Sequence, residues 1–126
     1  MERVLWVAIG GAFGSAARYL VTEWVLARSG PAFPWGTLAV NVVGSFLLGF
    51  LFQLALAVEA FPPTLRLALS AGVLGGFTTY SAFNQETLLA LGRGDALHAG
   101  TIVLATLAGC LVAGFAGLAL ARLVVA

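Results

Sequence analysis

Four long apolar stretches, interrupted only by short polar or proline-containing segments, organise the 126-residue chain. They run over about residues 4–26, 36–58, 65–91 and 96–125. A helix that crosses a bilayer needs about 20 mostly apolar residues, so each stretch is long enough to span. The first gap carries Arg28, Ser29, Gly30, Pro31 and Pro34, the second Phe61-Pro62-Pro63, and the third Gly92-Arg93-Gly94-Asp95. All four prolines fall in these gaps, which suits helices that must satisfy their own backbone in lipid. The pattern predicts an all-α membrane protein, one domain over residues 1–126 with four transmembrane helices per subunit.

The polar positions inside the stretches carry the rest of the information. In the first, Arg18 and Glu23 lie on the last turns, where long side chains snorkel to an interface. The third has Gly72, Gly75, Gly76, Thr78, Thr79 and Tyr80 at its centre, a poor helical sequence in which each glycine costs about 1 kcal/mol relative to alanine. Thr78 sits mid-span, so the third helix is expected to break near the bilayer midplane. Such breaks free carbonyls for a cation and aim amides at an anion. The same glycines would also serve simply to let neighbouring helices approach.

The second stretch carries Thr37, Asn41, Ser45 and Gln53 at multiples of four, a slanted row on one helix face. Asn41 acts either as glue between helices or as an amide donor to an anion. Thr78, Thr79, Ser81, Asn84, Gln85, Glu86 and Thr87 cluster in the second half of the third stretch. Polar residues that converge inside a membrane mark an ion or substrate path by default. Tyr80 and Phe83, three apart, share a helical face, and the positive edges of their rings suit an anion path as well as ordinary packing. Gly10 with Gly14, and Gly109, Ala113, Gly117 and Ala121 at four-residue spacing, read as packing stripes.

Composition agrees with a bilayer as solvent. Hydrophobic residues make up 61% and charged residues 9%, and the mean hydropathy is +1.05; a soluble globule of this size cannot cover so much apolar surface. The net charge of +1 excludes a nucleic-acid footprint. One cysteine, Cys110, forms no internal disulfide. The Met1-to-Gly14 run reads as the start of the first span rather than a cleaved signal, because Glu2 offsets Arg3 and the apolar run continues through Ala16 and Ala17. With four crossings, Arg3, Arg66 and Arg122 share one side and Arg18, Arg28 and Arg93 the other. That balance lacks the usual positive-inside signal. It points to insertion in both directions and an antiparallel two-fold dimer, or to one topology with a weak bias.

Three motifs together are similar to those of the CrcB/Fluc fluoride channels: Gly10-Gly11 through Arg18-Tyr19; Gly36-Thr37-Leu38-Ala39-Val40-Asn41 with Gly44, Ser45, Phe46 and Gly49; and Gly75-Gly76-Phe77-Thr78-Thr79-Tyr80-Ser81-Ala82-Phe83 followed by Glu86. The resemblance covers all four spans. It implies a passive, fluoride-selective exporter in the plasma membrane of a bacterium, built as an antiparallel dual-topology homodimer with two pores and a central structural sodium ion. It implies that the backbone carbonyls of Gly75 and Thr78 from both subunits hold the sodium. Asn41, Tyr80, Phe83, Ser81 and Thr106 would line the fluoride pore, and Arg18 and Glu86 would lie in its vestibules. Two departures stand out. Tyr80 replaces the family's usual first phenylalanine, and Ala82 the usual threonine; the resemblance also puts Cys110 where relatives carry a hydroxyl.

Two rivals make different demands. A small proton-coupled drug exporter of the four-helix type needs a titratable carboxylate deep in the first helix, and Glu23 lies at its end. An enzyme would need partners for His98, the only histidine, and no second base accompanies it. The expected partners are a second copy of the chain, fluoride and membrane lipid.

Overall fold

The structure, a computed structural model, describes all 126 residues. Helix α1 spans Glu2–Ser29, α2 Trp35–Ala57 and α6 Ala96–Val125. These three are each long and apolar enough to cross a membrane. Between α2 and α6 the chain makes a composite fourth passage. It begins with α3 (Pro63–Leu67), continues as a π-helical segment (Ala68–Leu74), tightens again in α4 (Gly75–Phe77) and ends in α5 (Tyr80–Gly92). Thr78 and Thr79 lie between α4 and α5 with extended backbone, ψ being 158° and 113°. Helix α1 runs three residues past the expected end at residue 26. Its last turn is held by Arg28, whose guanidinium lies 4.0 Å from the Trp24 ring centroid.

Local chemistry sets the ends of these elements. Pro63 opens α3, where its missing N–H costs nothing. Gly30 and Gly94 take φ of 71° and 78° in the connections flanking α1 and α6, a conformation that disfavours any Cβ. Asp95 caps α6 by accepting from the His98 N–H at 2.9 Å.

Two close helix pairings build the bundle, and glycine makes both possible. Helix α1 packs on the π segment and α4: a Cβ at Gly10 would stand 2.6 Å from the Ala68 carbonyl oxygen, and one at Gly14 would overlap the Val73 carbonyl. Helix α2 packs on α6 in the same manner, where a Cβ at Gly49 would overlap the Gly114 carbonyl and one at Gly117 the Phe46 carbonyl. Backbones in such contact gain dispersion without side-chain ordering, which is how helices associate where lipid offers no hydrophobic drive. A small core of Phe83, Ala90, Ala99 and Ile102 ties α5 to α6.

Only 17 of the 126 residues are buried, and large apolar side chains point outward along every long helix, Leu97 being 84% exposed. In water such a surface would aggregate; in a bilayer the acyl chains are its solvent.

Candidate functional site: a cleft beside the extended Thr78–Thr79 segment

A cleft of about 410 Å³ opens between α2, the composite passage and α6. Asn41, Gly44, Ser45, Ser70, Gly75, Thr78, Thr79, Tyr80, Phe83, Thr106 and Cys110 all contribute to its wall. Six of the nine candidate site residues therefore meet there: Asn41, Gly75, Thr78, Tyr80, Phe83 and Thr106.

Asn41 is buried and bonds to the backbone of Thr79 at both ends of its carboxamide. Its Nδ2 donates to the Thr79 carbonyl at 2.9 Å, and its Oδ1 accepts the Thr79 N–H at 2.7 Å. The side chain thereby does for Thr79 what a helical turn would otherwise do, which stabilises extended backbone inside an apolar bundle. One N–H of the carboxamide is left over after these two bonds. Gly44 makes room for the arrangement, since a Cβ there would overlap the Thr78 side chain.

The same bonds release two carbonyls. In a continuous α-helix the Thr79 N–H would close on Gly75 and the Ala82 N–H on Thr78. Instead the first goes to Asn41 and the second to Thr79 Oγ1, at 3.2 Å. The Thr78 carbonyl is met by Arg18, whose Nη1 donates to it at 3.3 Å. The Thr78 hydroxyl donates back to the Leu74 carbonyl at 2.9 Å. The Gly75 carbonyl is left without its helical partner and the Thr78 carbonyl keeps one lone pair beside Arg18, so neutral, hard oxygens of the kind an alkali cation takes are present where the resemblance implies sodium.

Tyr80 and Phe83 meet edge to face, with ring centroids 5.5 Å apart and planes at 61°. Phe83 is 7% exposed and Tyr80 75%, so the pair bridges the core and the open side of the cleft.

Three residues stand elsewhere. Ser81 is exposed, and its hydroxyl lies 3.2 Å from Thr79 Oγ1 rather than in the cleft wall. It is one residue from Tyr80 and so turned about 100° round the helix. Arg18 reaches the extended segment from α1. Glu86 lines two smaller cavities toward the Phe33–Pro34 connection and accepts from the Thr37 hydroxyl at 2.6 Å. Its second oxygen, Oε2, is buried without a partner in the chain. Thr37→Val removes the one donor this carboxylate has, and desolvation of an unsatisfied group costs about 1–3 kcal/mol. The detergent-solubilised variant is expected to unfold several degrees lower, while Thr37→Ser retains the wild-type transition.

Several participants were not visible in the sequence. Ser70 enters the cleft wall from the π segment, and the Thr79 backbone is a partner of Asn41. The Asn41–Thr79 and Thr37–Glu86 pairs are 38 and 49 residues apart. The polar row on α2 was the only signal pointing to either.

Comparison with known proteins places this arrangement. A family model described as CrcB-like protein, Camphor Resistance (CrcB), matches residues 5–118. The chain belongs to the CrcB-like family. Among CrcB-like relatives, a protein named fluoride-specific ion channel FluC from Anaeromyxobacter sp. (strain K) is 56% identical over 122 residues, covering 97% of each chain. A protein of the same name from Sorangium cellulosum (strain So ce56) is 48% identical over 126 residues, covering all of this chain and 99% of its own. A third, from Rhizobium meliloti (strain 1021), is 47% identical over 125 residues, covering 99% of this chain and 100% of its own. This CrcB-like chain is a multi-pass membrane protein, and these relatives are named as a channel, not as an enzyme.

Proposed function

We propose that this CrcB-like protein is a fluoride-selective channel that lets fluoride leave the cytoplasm down its electrochemical gradient, without energy coupling. The observation that carries this reading is the cleft itself: uncharged donors and ring edges converge beside extended backbone, in a chain about half identical to proteins named fluoride-specific ion channels. Fluoride is small and strongly hydrated, so a selective path must replace lost water with donors at close range. Asn41 retains one N–H for that purpose, Thr106 contributes a hydroxyl, and the edges of Tyr80 and Phe83 offer weak positive charge. None of these groups is a full cation, so the ion is bound loosely enough to leave, as conduction requires. Arg18, one step away, raises the local concentration of anions.

The assembly proposed is an antiparallel, dual-topology homodimer with the extended Thr78–Thr79 segment near the bilayer midplane. The three-against-three arginine balance supports insertion both ways. The cleft is open on one side in a single chain, and Gly75 is exposed beside it; a second copy would close the path. Gly75 and Thr78 carbonyls from two chains would hold a sodium ion on the two-fold axis. When bound, that ion supplies a fixed positive charge that joins the two extended segments.

The decisive experiment is ion flux from liposomes that hold the purified protein. Fluoride is expected to leave rapidly while chloride stays, with no dependence on a proton gradient. Equal chloride flux, or a requirement for a proton gradient as in a four-helix drug exporter, would sink the reading.

A further inference from the structure

The cleft's hydrogen-bonding groups divide into those already engaged and those free. Ser70 donates to the Arg66 carbonyl at 2.7 Å and Thr78 to the Leu74 carbonyl at 2.9 Å. The Thr79 oxygen takes the Ala82 N–H and faces Ser81. Asn41 spends two of its groups on Thr79. The Tyr80 hydroxyl takes part in none of these bonds, although its residue lines the same cleft and is 75% exposed. Its ring meets buried Phe83 edge to face, and most of the residue faces the open side of the cleft. A phenol donor without a partner is costly in a bilayer, where no water replaces the missing bond. It is also a stronger donor than the aliphatic hydroxyls around it.

We propose that the Tyr80 hydroxyl is a further anion-contacting donor, which sets the concentration at which this path saturates. The inference rests on the channel reading above. It assigns the oxygen of Tyr80 a part that the ring edge alone does not have. A donor on a small anion deepens the site and delays release, so the hydroxyl trades maximal rate for affinity.

The test is fluoride efflux from liposomes over a range of internal fluoride, comparing wild type with Tyr80→Phe. Loss of one hydrogen bond to a charged ion predicts about a tenfold rise in the half-saturating fluoride concentration. The maximal rate should be equal or higher. A half-saturating concentration unchanged from wild type would overturn the Tyr80 assignment and leave the channel reading standing. Wild-type vesicles that retain fluoride would overturn the channel reading itself. A second measurement does not depend on how the variant folds. The chain has two tyrosines, so in a Tyr19→Phe background tyrosine labelled with carbon-13 at the phenol carbon marks Tyr80 alone, clear of the tryptophans that dominate the near ultraviolet. Sodium fluoride is expected to shift that carbon-13 resonance relative to sodium gluconate; an unmoved resonance in a conducting protein would equally overturn the assignment.

Discussion

Replacing Asn41 with aspartate is expected to cut fluoride flux at least a hundredfold. The substitution is nearly isosteric and keeps an acceptor for the Thr79 N–H. It loses the other half of the clamp, because the Nδ2 that donates to the Thr79 carbonyl at 2.9 Å becomes an oxygen. Two oxygens then face each other with no hydrogen between them, at a residue that is 8% exposed. An uncompensated buried charge costs about 3–5 kcal/mol, and a barrier raised by about 2.7 kcal/mol already slows passage a hundredfold. The charge also stands in the path of an anion, so the structural and the electrostatic effects act in the same direction. Asn41→Ala separates them: it leaves the Thr79 N–H and carbonyl unpaired but adds no charge, so its thermal transition should fall less than that of Asn41→Asp. Thr101→Val, which removes an exposed hydroxyl bonded only to its own helix, should conduct like wild type. Full flux from folded Asn41→Asp would remove this residue from the mechanism.

The second large effect is expected at a site remote from any chemistry. Gly14→Ala places a methyl group on the Val73 carbonyl, with the Val73 carbonyl carbon and the Phe77 nitrogen within 3.0 Å. These neighbours are backbone and cannot swing aside, so α1 must separate from the π segment. Overpacking costs about 1–3 kcal/mol even where side chains can yield, and rigid backbone puts this case at or above the top of that range. Three residues away, Gly11→Ala meets only the Gly72 carbonyl, at 4.0 Å. There the intrinsic helical preference for alanine, about 1 kcal/mol, decides the sign. Thermal unfolding in detergent should therefore fall by 10 °C or more for Gly14→Ala and hold or rise for Gly11→Ala. Equal behaviour of the pair would show that this crossing does not carry the fold.

The contrast between these two glycines shows where reading the sequence reaches its limit. Apolar length and proline placement put the connections at about residues 27–35, 59–64 and 92–95, and the structure has them at 30–34, 58–62 and 93–95, because a bilayer punishes any other arrangement. Four-residue spacing picks out Gly10, Gly14 and Gly117 as packing positions. Spacing alone could not rank Gly11 against Gly14, since that depends on which carbonyl of another helix lies opposite. The π segment Ala68–Leu74 is equally silent: a wider turn changes hydrogen-bond partners without leaving an apolar period to read. The candidate site was legible in its membership more than in its wiring. Asn41, Tyr80, Phe83 and Thr106 could be named from polarity and resemblance. That Asn41 would hold Thr79, or that Glu86 would rest on Thr37, required the tertiary contact itself.

The glycine crossings have a further consequence for how such a molecule works. Where main chain rests directly on main chain, a helix can neither slide nor rotate without collision, and there is no cushion of flexible side chains to absorb a stroke. Both pairings, α1 on the π segment and α2 on α6, are of this kind. On the channel reading proposed above, a passage framed by such contacts would have no hinged door, and its throughput would answer to the gradient imposed on it.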